Sequence, residues 1–182
     1  PVELKAKLPI PSYHHRDGDV ELPTCPSCSC PAAFRNYRWY LDRGIIVNKN
    51  NGRRMALLGP ELLDNLFVAL ESELGPSVPE VVVEAQRRFT RTGFYTIEEV
   101  SNEGDFRTQL ALRGMGNLRE MSMGTGGLSM RVDNAACYLL LVGMVQGLFE
   151  MALDVDSYVE WEFSPGKTRA AGQARDQPGG PA

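Results

Sequence analysis

The sequence predicts an α+β domain, with an antiparallel sheet packed against helices and enclosing an apolar ligand pocket. Three observations carry this. Asn50-Asn51-Gly52 separates two short apolar runs in "GIIVNKNNGRRMALL", the pattern of a β-hairpin with a tight turn. Apolar residues recur at helical spacing after Pro60, and "CYLLLVGMVQGLFEMA" is apolar nearly all round, as a buried helix is. The order that results is hairpin, helices, hairpin, helix, strand.

Residues 1–43 read as a Pro-rich arm carrying a cysteine cluster, with Pro9, Pro11 and Pro23 and little periodicity. Residues 44–163 read as the folded domain, opened by the hairpin of Gly44 to Leu58. Pro60 starts a helix whose Leu62, Leu63, Leu66, Phe67, Leu70 and Leu74 form the apolar stripe. Glu61, Asp64, Glu71 and Glu73 fall mostly on the other side. Gly75-Pro76 ends it. A second helix spans Pro79 to Arg91, with Val82, Ala85 and Phe89 expected to face inward. Arg87, Arg88 and Arg91 suit the C-terminal end of its dipole.

Tyr95 to Val100 fits a strand or a helix start, and Phe106 to Arg113 a short helix stopped by Gly114. Asn117 to Met123 and Leu128 to Val132 read as strands joined by "GTGG". The buried helix, Cys137 to Ala152, follows. "YVEWEF", Tyr158 to Phe163, alternates as a half-exposed strand does. Residues 164–182, rich in Gly, Pro, Ala and Gln, are expected to be a flexible tail.

Composition narrows the function. The 182 residues are 43% apolar, enough for one domain with a core. Acids outnumber bases, 23 to 19, so no basic footprint asks for nucleic acid. The longest apolar stretch, Cys137 to Leu153, contains Gln146 and Glu150 and is too short and too polar to span a bilayer. No N-terminal apolar run reads as a signal peptide. Four cysteines are too few for a disulfide-dense secreted scaffold, so a cytoplasmic chain with reduced thiols is expected.

The run from Leu112 to Gly166 has a Gly-x-Gly turn (Gly114, Gly116), two strands and Asn134 before the buried helix. Gly143 and Gly147 pair within that helix, and an acidic strand closes the run. Together with the hairpin and helix of Gly44 to Gly75, it resembles the 4-vinyl reductase, or hydrocarbon-binding, domain family. The resemblance implies a small α+β fold around a ligand. It covers sensor domains of bacterial regulators that respond to aromatic compounds, proteins linked to chlorophyll biosynthesis, and relatives of vesicle-tethering subunits with an acyl-chain tunnel. It also implies dimers. The aromatic sensors hold zinc with a Cys, a Glu and two later Cys. Cys137 and Glu160 match the first two, but the others fall near Phe163 and Ala170-Ala171, where this chain has no thiol. That site is therefore expected to be absent, leaving Cys137 as a small core residue.

The cluster "TCPSCSCP" is different. Cys25, Cys28 and Cys30 have the C-x2-C spacing with which two thiolates grip a tetrahedral zinc, plus a third nearby. His14 and His15, the chain's only histidines, lie upstream, and His15 completes a candidate Cys3His clip that would brace the arm. Free thiols in a loop, a Cys25–Cys30 disulfide, and a haem contact through Cys-Pro are the alternatives. An iron–sulfur cluster would want a fourth thiolate nearby.

No catalytic constellation is visible. There is no Gly-x-Ser-x-Gly and no phosphate loop, and "GMGNLREMSMGTGG" follows no parallel strand, so it fails as a dinucleotide fingerprint. Glu160 and Glu162 share a strand face that reads as solvated. A ligand pocket is the stronger reading. Six of the seven methionines lie in the second half, where Met115, Met121, Met130 and Met144 suit either a pliable pocket or ordinary core filling. Gly143 and Gly147 share one helix face and either admit a close neighbour or leave room for a ligand. Phe89, Phe94, Tyr138 and Trp161 are candidate aromatic walls.

The expected function is thus non-catalytic binding or sensing of a hydrophobic small molecule (aromatic, acyl or tetrapyrrole-like). The protein would be a homodimer whose output passes through a protein partner. An enzyme or accessory factor of tetrapyrrole or aromatic metabolism, and a plain assembly module, are the alternatives.

Overall fold

The computed structural model describes residues 21–94, 103–124, 126–164 and 167–174. The Asn-rich turn forms as expected. Gly52 takes a positive φ of 69°, and the Asn48 and Asn51 side chains accept the Asn50 and Arg53 N–H groups. The turn joins β2 (Ile45–Asn48) to β3 (Arg54–Met55). A strand the sequence did not reveal, β1 (Tyr37–Tyr40), pairs antiparallel with β2 along its whole length. The folded part therefore begins before Gly44, and residues 37–43 belong to the sheet and its turn, not to an arm.

Helix α1 (Pro60–Leu74) starts on Pro60 and stops at Gly75, whose φ is 102°. Its orientation differs from expectation. Asp64 and Glu71, seven residues apart on one stripe, are buried, whereas Leu62 is 61% and Leu66 48% exposed. The acids face the start of the core helix, where their charge acts on Tyr138. Periodicity located the stripe but not the side the protein covers.

Helix α2 (Val78–Phe89) continues into a wider turn, Thr90–Phe94, closed by Gly93. Its inward residues are only partly those expected, since Val82 packs against the core. Ala85 and Phe89 are exposed and Val82 is half-buried, while Val78, Pro79, Val83 and Thr90 are buried. Helix α3 (Glu103–Leu112) buries Phe106 and Leu110 and ends at Gly114. Tyr95 to Val100 lies outside the described residues.

The second sheet holds β4 (Asn117–Gly124), β5 (Gly127–Asp133), β6 (Ser157–Ser164) and β7 (Lys167–Ala174), all antiparallel, in the order β4-β5-β7-β6. Part of the stretch expected to be a tail is thus a central strand. "KTRAAGQA" gave no strand signal because it carries small and polar residues, and its place rests on pairing with both neighbours.

Helix α4 (Tyr138–Leu153) fills the centre, with every residue from Leu141 to Glu150 buried. Leu139, Val142, Met144 and Leu148 join Leu118, Met130 and Val132 of the sheet and Leu110 of α3 in one core. Each such aliphatic side chain stabilises the fold by about 1.5–3 kcal/mol through burial. The α+β class with antiparallel sheets holds. No helix among the described residues is long and apolar enough to cross a membrane.

Candidate functional site

The site is built around the contact between α2 and α4. A Cβ on Gly143 would stand 2.3 Å from the Val83 carbonyl oxygen. One on Gly147 would stand 2.7 Å from Thr90 Cβ and 2.8 Å from the Arg87 carbonyl oxygen. The two glycines thus form a notch that the α2 backbone occupies, and close packing, not empty space, explains them. Because backbone meets glycine here, α2 needs no large apolar side chain on this face, which is why its pattern misled.

Beside the notch lies a buried charge network. The Glu150 side chain has no exposed surface. Its Oε2 accepts from Arg87 Nη1 at 2.6 Å and Arg91 Nη1 at 3.2 Å, and its Oε1 from the Ser157 N–H and Oγ–H, both at 2.9 Å. Gln146 Nε2 donates to the Ser157 carbonyl at 3.0 Å. Arg87 also grips Glu84 bidentately, at 2.6 and 3.0 Å, and Arg88 adds a third bond to the same carboxylate. Arg87 holds the Glu84 carboxyl down at about 2, and Glu84, then Glu150, keep the Arg87 guanidinium charged. Arg91 reaches on to Asp156 at 3.0 Å. Three guanidiniums meet three carboxylates, and α2, α4 and β6 are tied at one point.

Against this network opens a cleft of about 420 Å³, between the first half of α2 and the start of β6. Val83, Val159 and Trp161 give it apolar surface, and Glu80, Glu84, Arg87, Gln146, Asp156 and Ser157 a polar and charged lining. It is an open cleft with mixed lining, not the enclosed apolar chamber the sequence suggested. Its volume lies in the range of small-molecule sites, roughly 300–1,000 Å³.

Neither cleft described among these residues gathers the residues expected to line a pocket. Trp161 faces the cleft. Tyr138, Met130 and Met144 are core residues, with the Tyr138 ring stacked on Phe163 at 4.5 Å. Met121 and Met130 are cross-strand partners beside a smaller cleft of about 260 Å³ along β4 and β5. Met115 packs half-buried against the core. Phe89 and Phe94 pair at 4.8 Å on the surface, where the Arg53 guanidinium sits 4.2 Å from the Phe94 ring and donates to its carbonyl. That contact pins the first sheet to the end of α2.

Glu150 and Arg87, which organise the site, were not among the expected residues. A signal for them existed. Gln146 and Glu150 are four apart on a helix read as buried, and Arg87 and Arg91 are four apart on its neighbour, so each pair shares a helix face. Buried polar residues demand partners, and this was the matching pair.

Cys137 is half-buried, in a left-handed conformation before α4, and burial followed by the nearby Asp64 charge pushes its thiol up to about 11. Glu160 is exposed on β6. Cys25, Cys28 and Cys30 carry free thiols, whereas His14 and His15 lie outside the described residues. Among the described residues, no three His, Cys, Asp or Glu side chains are gathered as a metal would hold them.

No protein family and no curated protein matches the sequence. The fold is similar to that of the phenol-responsive sensory domain of the transcription activator PoxR, solved with phenol. The TM-score is 0.54 at 12% identity, over 77% of this chain and 85% of that one. An H-NOX variant aligns at a TM-score of 0.42 and 11% identity, over 69% of this chain and 78% of that one, too loosely to carry an argument.

Proposed function

We propose that this chain is a small-molecule sensory domain whose cleft between α2 and β6 takes a compact aromatic ligand bearing a polar group. The observation that carries the reading is the cleft itself. An indole wall, two valines and a polar, charged lining suit a ring with one hydrogen-bonding substituent. The likeness to a phenol-sensing domain supports it at the level of the fold, as does the resemblance to the 4-vinyl reductase family. Acyl and tetrapyrrole-like ligands fit less well, because the cleft is open and its lining is charged. A ligand there would touch α2 and β6 together, both held through Glu150. Binding would therefore tighten or loosen that tie, and a protein partner would read the change.

The test is thermal stability and calorimetry of the full chain against phenols, larger aromatics and fatty acids. Small phenols should stabilise the protein, and Trp161→Ala should abolish most of that response while the apo protein still folds. If no aromatic stabilises the wild type, or the variant responds equally, the cleft is not the site.

The exposed leucines favour a second reading, assembly. Leu57, Leu58, Leu62 and Leu66 form an apolar surface at the start of α1, which a second copy of the chain would cover in a homodimer. Sensing and dimerisation are compatible, since they use different faces.

A further inference from the structure

We propose that the outer face of β4 and β5 carries a second binding site, in which Arg131, Ser122 and Ser129 take the carboxylate of a compact organic acid. This goes beyond the sensory reading and does not depend on it. The site lies at the far edge of the sheet from the α2–β6 cleft, since β4 and β6 are its two outermost strands. Three observations converge on it. First, there is a cleft. Its volume is about 260 Å³, and Glu120, Met121, Ser122, Ser129, Met130 and Arg131 line it. The alternation of β5 buries Leu128, Met130 and Val132 in the core and leaves Ser129 and Arg131 partly exposed on the other face. Ser122 is the register partner of Ser129, and Glu120 that of Arg131, so all four stand on that outer face. The size limits an occupant to a compact molecule.

Second, the guanidinium is only partly used. Among the described residues Arg131 pairs with Glu120 alone, through Nη1 at 2.9 Å. Its Nε is buried and has no hydrogen-bond partner. A covered donor with nothing to donate to carries the full cost of its desolvation, and native structures hold few of them. Nε and Nη2 form the edge of a guanidinium that matches the two oxygens of a carboxylate. The Arg131 side chain is 38% exposed, so rotation about its outer torsions turns that edge into the cleft.

Third, the neighbours favour a single negative charge. Ser122 and Ser129 supply hydroxyl donors beside the guanidinium. In register, the row across the sheet reads Glu120, Arg131, Arg169, Glu162, with both arginines on the central strands and both acids on the edge strands. The competitor is Glu120. Its side chain is 67% exposed, and an ion pair so open to water is weak. A ligand carboxylate that takes two donors therefore displaces a side chain that takes one. Asp133, two residues along the same face, is already held by Arg119 at 3.1 Å. With Glu120 and Asp133 this close, a carboxylate suits the site better than a doubly charged phosphate.

The test titrates the full, isotope-labelled chain with sodium butyrate at constant ionic strength, followed by NMR at the Arg131 Nε–H and the Ser122 and Ser129 amides. Saturable shifts at all three are expected, and none with butyramide, which has the same shape and no charge. Arg131→Lys keeps the charge but not the fork, and should weaken binding roughly tenfold or more, as loss of a charge-assisted hydrogen bond does. Glu120→Gln removes the internal competitor and should strengthen binding. Ser122→Ala with Ser129→Ala should weaken it with an unchanged far-ultraviolet circular dichroism spectrum. Trp161→Ala should leave it unaltered, because the two clefts are separate. A response to butyramide equal to that of butyrate, tighter binding of phosphate than of butyrate, or the same affinity in wild type, Arg131→Lys and Glu120→Gln would each overturn the assignment.

Discussion

Helices α1 and α2 sit side by side in the chain and are held in opposite ways. α1 is the more apolar helix, yet it turns Leu62 and Leu66 outward and buries Asp64 and Glu71. α2 is the less apolar one, with Glu84, Gln86, Arg87 and Thr90 along its inner side, yet it lies hard against α4. The difference lies in what each helix faces. α2 meets two glycines and a carboxylate that needs cations, so backbone and arginine are the right surface to present. The leucine stripe of α1 is split, with Leu63, Phe67 and Leu70 half-buried while Leu62, Leu66 and Leu74 stay outside. An apolar stripe reports that something will be covered, but not by what.

Four substitutions or conditions put this contrast to the test. The largest effect belongs to Glu150→Ala, which leaves the buried Ser157 N–H without its acceptor and Arg87 with Glu84 alone. The loss should be on the order of 3–5 kcal/mol in urea unfolding, and Glu150→Gln should recover part of it. Gly147→Leu comes next. A side chain there runs into the Arg87 carbonyl and Thr90, so overpacking should cost about 3 kcal/mol or more. That variant probes the helix crossing, so its effect should be the same with and without ligand.

Leu62→Ser with Leu66→Ser should change monomer stability by only about 0.5 kcal/mol. If the homodimer exists it should dissociate, which sedimentation equilibrium reads. A large loss of monomer stability would instead mean that α1 is buried in the way α2 is. The smallest effect is that of pH. Glu84 ionises well below its ordinary range, so the stability it contributes is complete above about pH 4.5 and is lost as pH falls towards 2. Its side chain is 38% exposed, so screening should keep the loss under about 1 kcal/mol, and Glu84→Gln should flatten that part of the acid-unfolding profile.

Much of the fold was legible, because caps and turns are local. Pro60 and Gly75 bound α1, Asn51-Gly52 turns the hairpin, and the alternation of β6 puts Val159, Trp161 and Phe163 inward while Tyr158, Glu160 and Glu162 face out. What escaped was decided at long range. β1 hid behind a run of prolines and cysteines, and β7 has almost no side-chain signal of its own. The candidate site was legible only in Trp161. Met130, Met144 and Tyr138 were chosen by residue type, and type does not distinguish a pocket wall from a core. Gly143 and Gly147 were ambiguous until α2 was seen to fill the notch. The pairing of Gln146 and Glu150 with Ser157 and the arginines of α2 was the missed clue, since a glutamate inside so apolar a helix has to be answered by another element.

The strand order has a consequence for how the chain is made. β6 leaves the ribosome before β7, yet among the described strands β7 is its only neighbour in the sheet. Until residues 167–174 follow, the facing edges of β5 and β6 stay open although α4 is already synthesised. The sheet must therefore close in a late step, when one hairpin arrives as a unit, and it is during this interval that a nascent chain would need a chaperone.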